Sequence, residues 1–235
     1  MKKLLAFILI CFASSTLVAQ NLQLHYDFGK DRKYFTATWE MFKPDEYGST
    51  FTFVDFDFNN DGNKSISTAY WEIARYVTIP GAKGLSATLQ YNDGTLRVPG
   101  AGVAVPLGSI WLAGVSYPVN LGFVTLNTDV LYRRDYQSEG SDAQLTTVWD
   151  VTFFNGRLEF DGFVDVWSQK PVRLNPATGQ YRRVDREIVV LTEPQLWFNI
   201  DKHLAVGGEV EISNNFIPGE SSVLVCPTLA AKWSF

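Results

Sequence analysis

Apolar and polar residues alternate one by one along most of this chain. Leu22, Leu24, Tyr26 and Phe28 are separated by Gln23, His25 and Asp27. Leu85, Ala87, Leu89 and Tyr91 alternate with Ser86, Thr88, Gln90 and Asn92, and Val124, Leu126, Thr128, Val130 and Tyr132 with Thr125, Asn127 and Asp129. The same holds for Leu145 to Phe153 and for Leu204 to Ile212. A two-residue period gives each segment one apolar and one polar face, as a β-strand has. No segment shows helical periodicity, so the chain is expected to be all-β.

Twelve strands are expected, at 22–28, 34–42, 49–58, 68–77, 85–92, 107–117, 122–132, 143–154, 157–167, 187–198, 203–213 and 222–235. Their connections sort by parity. Those after the even strands are short, and one is Asn155-Gly156, a strong hairpin signal. Those after the odd strands are longer and polar, up to 168–186, with 29–33 the exception. A soluble sandwich gives no reason for such sorting. A transmembrane antiparallel β-barrel does, with short turns on the periplasmic side and long loops outside.

The uncharged run from Val98 to Thr128 is not read as a spanning helix. Pro106 and Pro118 bracket only eleven residues of it, and a membrane helix needs about twenty. It reads instead as strand six and a short turn, with either parity free to face lipid because both are apolar or small.

The chain's two ends agree with this. Lys2 and Lys3, the apolar run Leu4 to Phe12 and the small residues up to Ala19 have the order of a secretory signal peptide. Residues 1–19 are therefore expected to be cleaved and 20–235 to form an outer-membrane barrel. Cleavage removes Cys11 and leaves Cys226 without a disulfide partner. At the other end Val223, Val225, Pro227, Leu229, Ala231, Trp233 and the final Phe235 share one parity, opposite Thr228, Lys232 and Ser234. A last strand alternating to a terminal Phe resembles the assembly signal of bacterial outer-membrane proteins.

Composition narrows the function. The chain has 20 Lys and Arg against 25 Asp and Glu, with 17 Phe, 10 Tyr and 7 Trp but only 2 His. Removing Lys2 and Lys3 leaves 18 basic against 25 acidic side chains, a formal charge of −7. Nucleic-acid binding is excluded by the charge balance and the lack of a basic run. A multi-ligand zinc site is excluded by the scarcity of His and Cys.

If the apolar parity meets lipid, thirteen carboxylates line the interior, among them Asp27, Glu40, Asp129, Asp150, Glu159 and Asp161. Arg157 and Lys232 are the chief strand cations of that parity. Burying so many carboxylates dry is costly, so the lumen is expected to be wet and, with twelve strands, narrow. The alternative is a lumen plugged by Arg173, Arg182, Arg183 and Arg186 of the 168–186 loop. Aromatics share the polar parity. Phe51 and Phe53 accompany Asp55 and Asp57, Tyr70 accompanies Glu72, and Phe163 and Trp167 accompany Asp165. Rings beside carboxylates suit a solute with a flat ring and hydroxyl groups.

Three segments carry a family resemblance: Gly162-Phe163-Val164-Asp165-Val166-Trp167, Glu193-Pro194-Gln195-Leu196-Trp197, and Gly208-Glu209-Val210-Glu211-Ile212-Ser213-Asn214-Asn215-Phe216. With the closing Pro227 to Phe235, they resemble the nucleoside-specific channel-forming (Tsx-like) outer-membrane proteins, especially the Bacteroidetes branch. The resemblance implies a twelve-stranded barrel with a narrow lumen of aromatic and ionisable side chains that passes nucleosides. The expected channel lining is Phe51, Phe53, Asp55, Asp57, Tyr70, Glu72, Phe163, Asp165, Glu193, Gln195, Glu209 and Glu211.

Competing chemistries find less support. A lipid-active enzyme needs a nucleophile beside a His base, and neither His25 nor His203 has an obvious one. Asp57-x-Asn59-x-Asp61-Gly62 begins like a calcium loop, but Thr68 stands where its closing Glu belongs, so a polar hairpin loop is expected there. A structural or adhesive barrel displaying the 168–186 loop is the second reading. No cofactor or metal is expected. The expected partners are a small solute, outer-membrane lipids and lipopolysaccharide, and the barrel-assembly machinery through Phe235, with the barrel acting as a monomer.

Overall fold

The computed structural model describes residues 19–30, 32–62, 64–98, 102–175, 178–183, 185–217 and 220–235, with backbone only at 172–175 and 181–183. The expected signal peptide and Cys11 lie outside the described residues. The strands are β1 (Ala19–Asp27), β2 (Phe35–Asp45), β3 (Gly48–Phe58), β4 (Thr68–Thr78), β5 (Ser86–Val98), β6 (Val103–Pro106), β7 (Ile110–Asn120) and β8 (Thr125–Asp135). They continue as β9 (Asp142–Phe153), β10 (Leu158–Gln169), β11 (Val172–Asn175), β12 (Gln180–Arg183), β13 (Glu187–Thr192), β14 (Gln195–Asn199), β15 (Leu204–Asn214) and β16 (Leu224–Ser234).

Every ladder is antiparallel, and β16 closes onto β1 from Asn21 opposite Ser234 to Asp27 opposite Thr228. The result is a barrel of twelve staves. β6 is a short return that extends β5, and β11 with β12 forms a separate hairpin within the loop after β10. β13 and β14 are one stave. Both keep the same register against β10 and against β15, and only Glu193-Pro194 interrupts them. Proline has no N–H to give the ladder. Its carbonyl still accepts the Val210 N–H at 3.0 Å. Gly162 opposite has a φ of +145°, and a Cβ there would lie 2.9 Å from Pro194 Cα. Only glycine lets the two backbones approach so closely at that φ.

The Asn155-Gly156 hairpin forms as expected. Both residues have left-handed φ, +57° and +80°, as a type I′ turn requires, and the Arg157 N–H closes the turn onto the Phe154 carbonyl. This turn, those at 46–47, 79–85, 121–124 and 200–203, the start of β1 at Ala19 and the end of β16 share one end of the barrel.

Alternation in sequence becomes inside and outside in space. Leu89, Val130 and Leu229 are 53%, 59% and 64% exposed, whereas their inward neighbours Gln90, Asp129 and Ala230 are buried. An apolar surface of this extent would drive aggregation in water; against lipid it is the surface a barrel needs. Outward aromatics mark both rims. Trp71, Tyr91 and Trp111 follow one another as tilted rings near the loop-bearing end, with centroids 5.2 and 4.6 Å apart. Tyr47, Phe154, Trp233 and Phe235 stand exposed at the other.

The structure also assigns the parity of β7, which the sequence left open. Trp111, Val115 and Tyr117 face out, while Ile110 and Leu112 face in and pack with Leu131 of β8. Here the lumen departs from the expectation of a wet interior. The inner side of β5, β7, β8 and β9 is densely packed, with Thr88, Gln90, Asn92, Leu112, Leu131, Arg133 and Gln144 all buried. On β2, β3 and β4 the inward Thr36, Thr38, Glu40, Phe53, Asp55, Asp57, Tyr70 and Glu72 remain half-buried, as do Glu193 and Glu209.

Candidate functional site

On the half-buried side, β2 and β3 put hydroxyl and carboxylate pairs on the inner face. Thr38 Oγ1 donates to Asp55 at 2.5 Å, and Thr36 Oγ1 to Asp57 at 2.7 Å. One strand further, Phe53 stands opposite Glu72 and Asp55 opposite Tyr70. Tyr70 Oη donates to Glu72 at 2.6 Å and Asn92 Nδ2 to the same oxygen at 2.8 Å. The rings of Phe51, Phe53 and Tyr70 follow one another at 6.1 and 6.0 Å between centroids. Six of the expected lining residues thus form one continuous strip of rings and carboxylates.

The other six lie on β10 and the β13–β15 wall. Gln195 Nε2 donates to Glu209 at 3.1 Å while its carbonyl oxygen accepts the Trp197 indole N–H at 2.9 Å. Glu211 is bound by Arg32 at 2.8 Å and by the Ser213 hydroxyl at 3.1 Å. Asp165 lies opposite Thr146, and its Oδ1 is buried with no hydrogen-bond partner among the described residues. Phe163 shares the inward parity of Asp165, and its carbonyl accepts Thr192 Oγ1 at 2.6 Å. Glu193 lies within electrostatic reach of Asp55 and Glu72, as Glu209 does of Asp55. The two groups therefore look at each other across the lumen.

Residues outside the expected channel lining hold this arrangement. His25, 2% exposed, is bound by Gln23 at 2.8 Å and by Thr228 Oγ1 at 2.9 Å. The Thr228 oxygen also accepts the Glu209 backbone N–H at 3.0 Å, where the β15–β16 ladder is interrupted. Among the described residues this hydroxyl stands beside an imidazole in the wall, and it already bonds to the Glu209 backbone in the ladder. Thr36 and Thr38 share parity with Glu40 in β2, which is the sequence signal for them.

Of the two strand cations expected inside, Lys232 is there and Arg157 is not. Arg157 lies exposed in the short turn and plays no part in the lumen. Lys232 bonds Glu159 at 2.8 Å, with Asp161 at 3.8 Å, and its ammonium lies 4.5 Å from the Trp197 ring centre. Arg133 bonds Gln144 at 2.7 Å and Asp135 at 3.4 Å, with its guanidinium 4.8 Å from the Trp167 ring centre. Trp167 is thus an inward residue, 6% exposed. Arg32 spans Asp27 at 3.0 Å and Glu211. Beside it in the loop, burial and the nearby Asp57 carboxylate push the Tyr34 hydroxyl above its ordinary range, keeping it a donor. Of the plug arginines, Arg186 pairs with inward Asp142 and with Ser168. The side chains of Arg173, Arg182 and Arg183 lie outside the described residues.

Nor do Asp57 and Asp61 converge as calcium ligands. Asp57 turns inward to Thr36, whereas Asp61 accepts from Ser65 within its loop.

A family pattern described as "Domain of unknown function (DUF5020)" matches residues 19–235. The chain belongs to the DUF5020 family. No curated protein matches it by sequence. Two solved structures resemble the DUF5020 barrel in fold. One is described as KdgM porin, with a TM-score of 0.50 and 9% identity over 92% of this chain and 99% of that one. The other is a NanC porin, with a TM-score of 0.55 and 9% identity over 92% and 100%. Likeness at this identity establishes the fold, and that fold, with its apolar outer belt, is an outer-membrane β-barrel.

Proposed function

We propose that this DUF5020 barrel is a passive channel of the bacterial outer membrane for small polar solutes, nucleosides among them. The observation that carries the reading is the inward strip in which the Phe51, Phe53 and Tyr70 rings run beside Asp55 and Glu72. A flat base stacks on such rings, and ribose hydroxyls donate to such carboxylates. Passage requires each contact to be weak, and half-buried side chains meet that requirement better than a sealed pocket. The Tsx-like segments around Phe163, Glu193 and Glu209 support the same solute class, and both fold relatives carry the word porin in their descriptions.

A non-conducting barrel that displays its loops is the competing reading. It draws on the packed inner face of β5 to β9 and on Arg186 tying the loop after β10 to Asp142. Blockade of single-channel current by uridine distinguishes the two. The channel reading expects millimolar uridine to reduce the current. Phe53→Ala and Asp55→Ala should weaken that block while the protein still folds. Wild-type block in both variants would remove the strip as the binding surface.

A further inference from the structure

The lumen's charge says more than the strip's shape. Glu40, Asp55, Asp57, Glu72, Asp165 and Glu193 all face inward, and none has a Lys or Arg nitrogen within 4.0 Å among the described residues. The interior cations among the described residues are already committed: Arg32 to Asp27 and Glu211, Lys232 to Glu159, and Arg133 to Asp135. Two of them show how this interior holds a cation. Lys232 and Arg133 each rest on a tryptophan face with a carboxylate alongside. The strip of Phe51, Phe53 and Tyr70 beside Asp55 and Glu72 repeats that combination with no Lys or Arg ion pair among the described residues. Asp165 Oδ1, buried and without a hydrogen-bond partner among the described residues, adds an acceptor on the facing wall.

We propose that the channel ranks solutes by charge, passing organic cations of the guanidinium and ammonium class ahead of neutral solutes and turning anions away, with the β3–β4 strip as the cation's resting place. The proposal rests on the channel reading above and sharpens it: a nucleoside passes, but its phosphate-bearing counterpart does not. The cause is electrostatic. Carboxylates that outnumber the cations near them in a narrow, low-dielectric bore raise the local cation concentration and exclude anions.

The test is the reversal potential of the full mature barrel in a planar bilayer across a tenfold KCl gradient, followed by addition of guanidinium chloride, uridine or uridine monophosphate. The expected potassium-to-chloride permeability ratio is about ten or more. Guanidinium should block the potassium current at lower concentration than uridine, and uridine monophosphate should block least. Glu193→Gln, which keeps side-chain volume, should reduce the permeability ratio several-fold, and Phe53→Ala should weaken guanidinium block several-fold. Current with no cation preference, or with anion preference, overturns the charge ranking and leaves the channel standing. A folded barrel with no current overturns the channel and the ranking together.

Discussion

The Lys232 ammonium stands 2.8 Å from a carboxylate oxygen of Glu159, a residue 73 positions away in sequence and three staves around the barrel. Lys232 is 7% and Glu159 22% exposed at the side chain, and the lysine also covers Trp197. Removing only the lysine leaves Glu159 and Asp161 against each other without a counter-charge. Lys232→Met is therefore expected to destabilise the folded barrel by on the order of 3 kcal/mol. Urea unfolding in detergent reads this directly. The double variant with Glu159→Gln should recover part of the loss, because the stranded charge is then gone.

Leu229 and Leu112 separate the two sides of the wall. Leu229 faces outward near the middle of β16, whereas Leu112 is fully buried inside β7. Leu229→Arg should cost about 2–4 kcal/mol if that surface meets hydrocarbon, and should matter little in a water-facing surface. Leu112→Ala should cost about 2–5 kcal/mol through the cavity it leaves against Ile110 and Leu131. Equilibrium unfolding from lipid vesicles measures both.

Thr228 replaces a missing ladder bond with its side chain. Thr228→Val keeps the shape but leaves the Glu209 N–H and one His25 nitrogen without their present partner. The expected loss is about 1–3 kcal/mol. Thermal unfolding in detergent checks it, and Thr228→Ser should retain most of the stability.

Asp201 ties the turn between β14 and β15. It accepts the N–H groups of His203 and Leu204 at 2.8 and 2.9 Å, and these hold its carboxyl below the ordinary range. A lowered folded-state pKa means that the stabilisation is present above the ordinary carboxylate value and is lost as pH falls through the lowered one. Asp201→Ala should therefore lower the melting temperature at neutral pH, and the gap to wild type should close on acidification.

The staves and their outward faces could be read from the chain because one rule, alternation, governs every residue that meets lipid. The run Val223 to Phe235 is the clearest case, and each of its odd-numbered positions points outward. The inner face obeys no single rule. It carries carboxylates on β3 and β4, but leucine and isoleucine on β7, where the barrel fills itself. That is why the parity of β7 was illegible. The strip from Phe51 to Glu72 was visible because rings and carboxylates share one parity there. Arg133 was hidden within Tyr132-Arg133-Arg134, and Arg32 in a loop whose path no local pattern fixes. The Glu193-Pro194 interruption keeps its register only through partners on two other strands, which the segment itself does not encode.

Single-channel recording of the purified mature barrel in a planar bilayer tests the central claim most directly, with folding and insertion verified by heat-modifiable migration of the same sample. The account predicts discrete conductance steps from each inserted barrel. Verified insertion with a current that never leaves the baseline would contradict it.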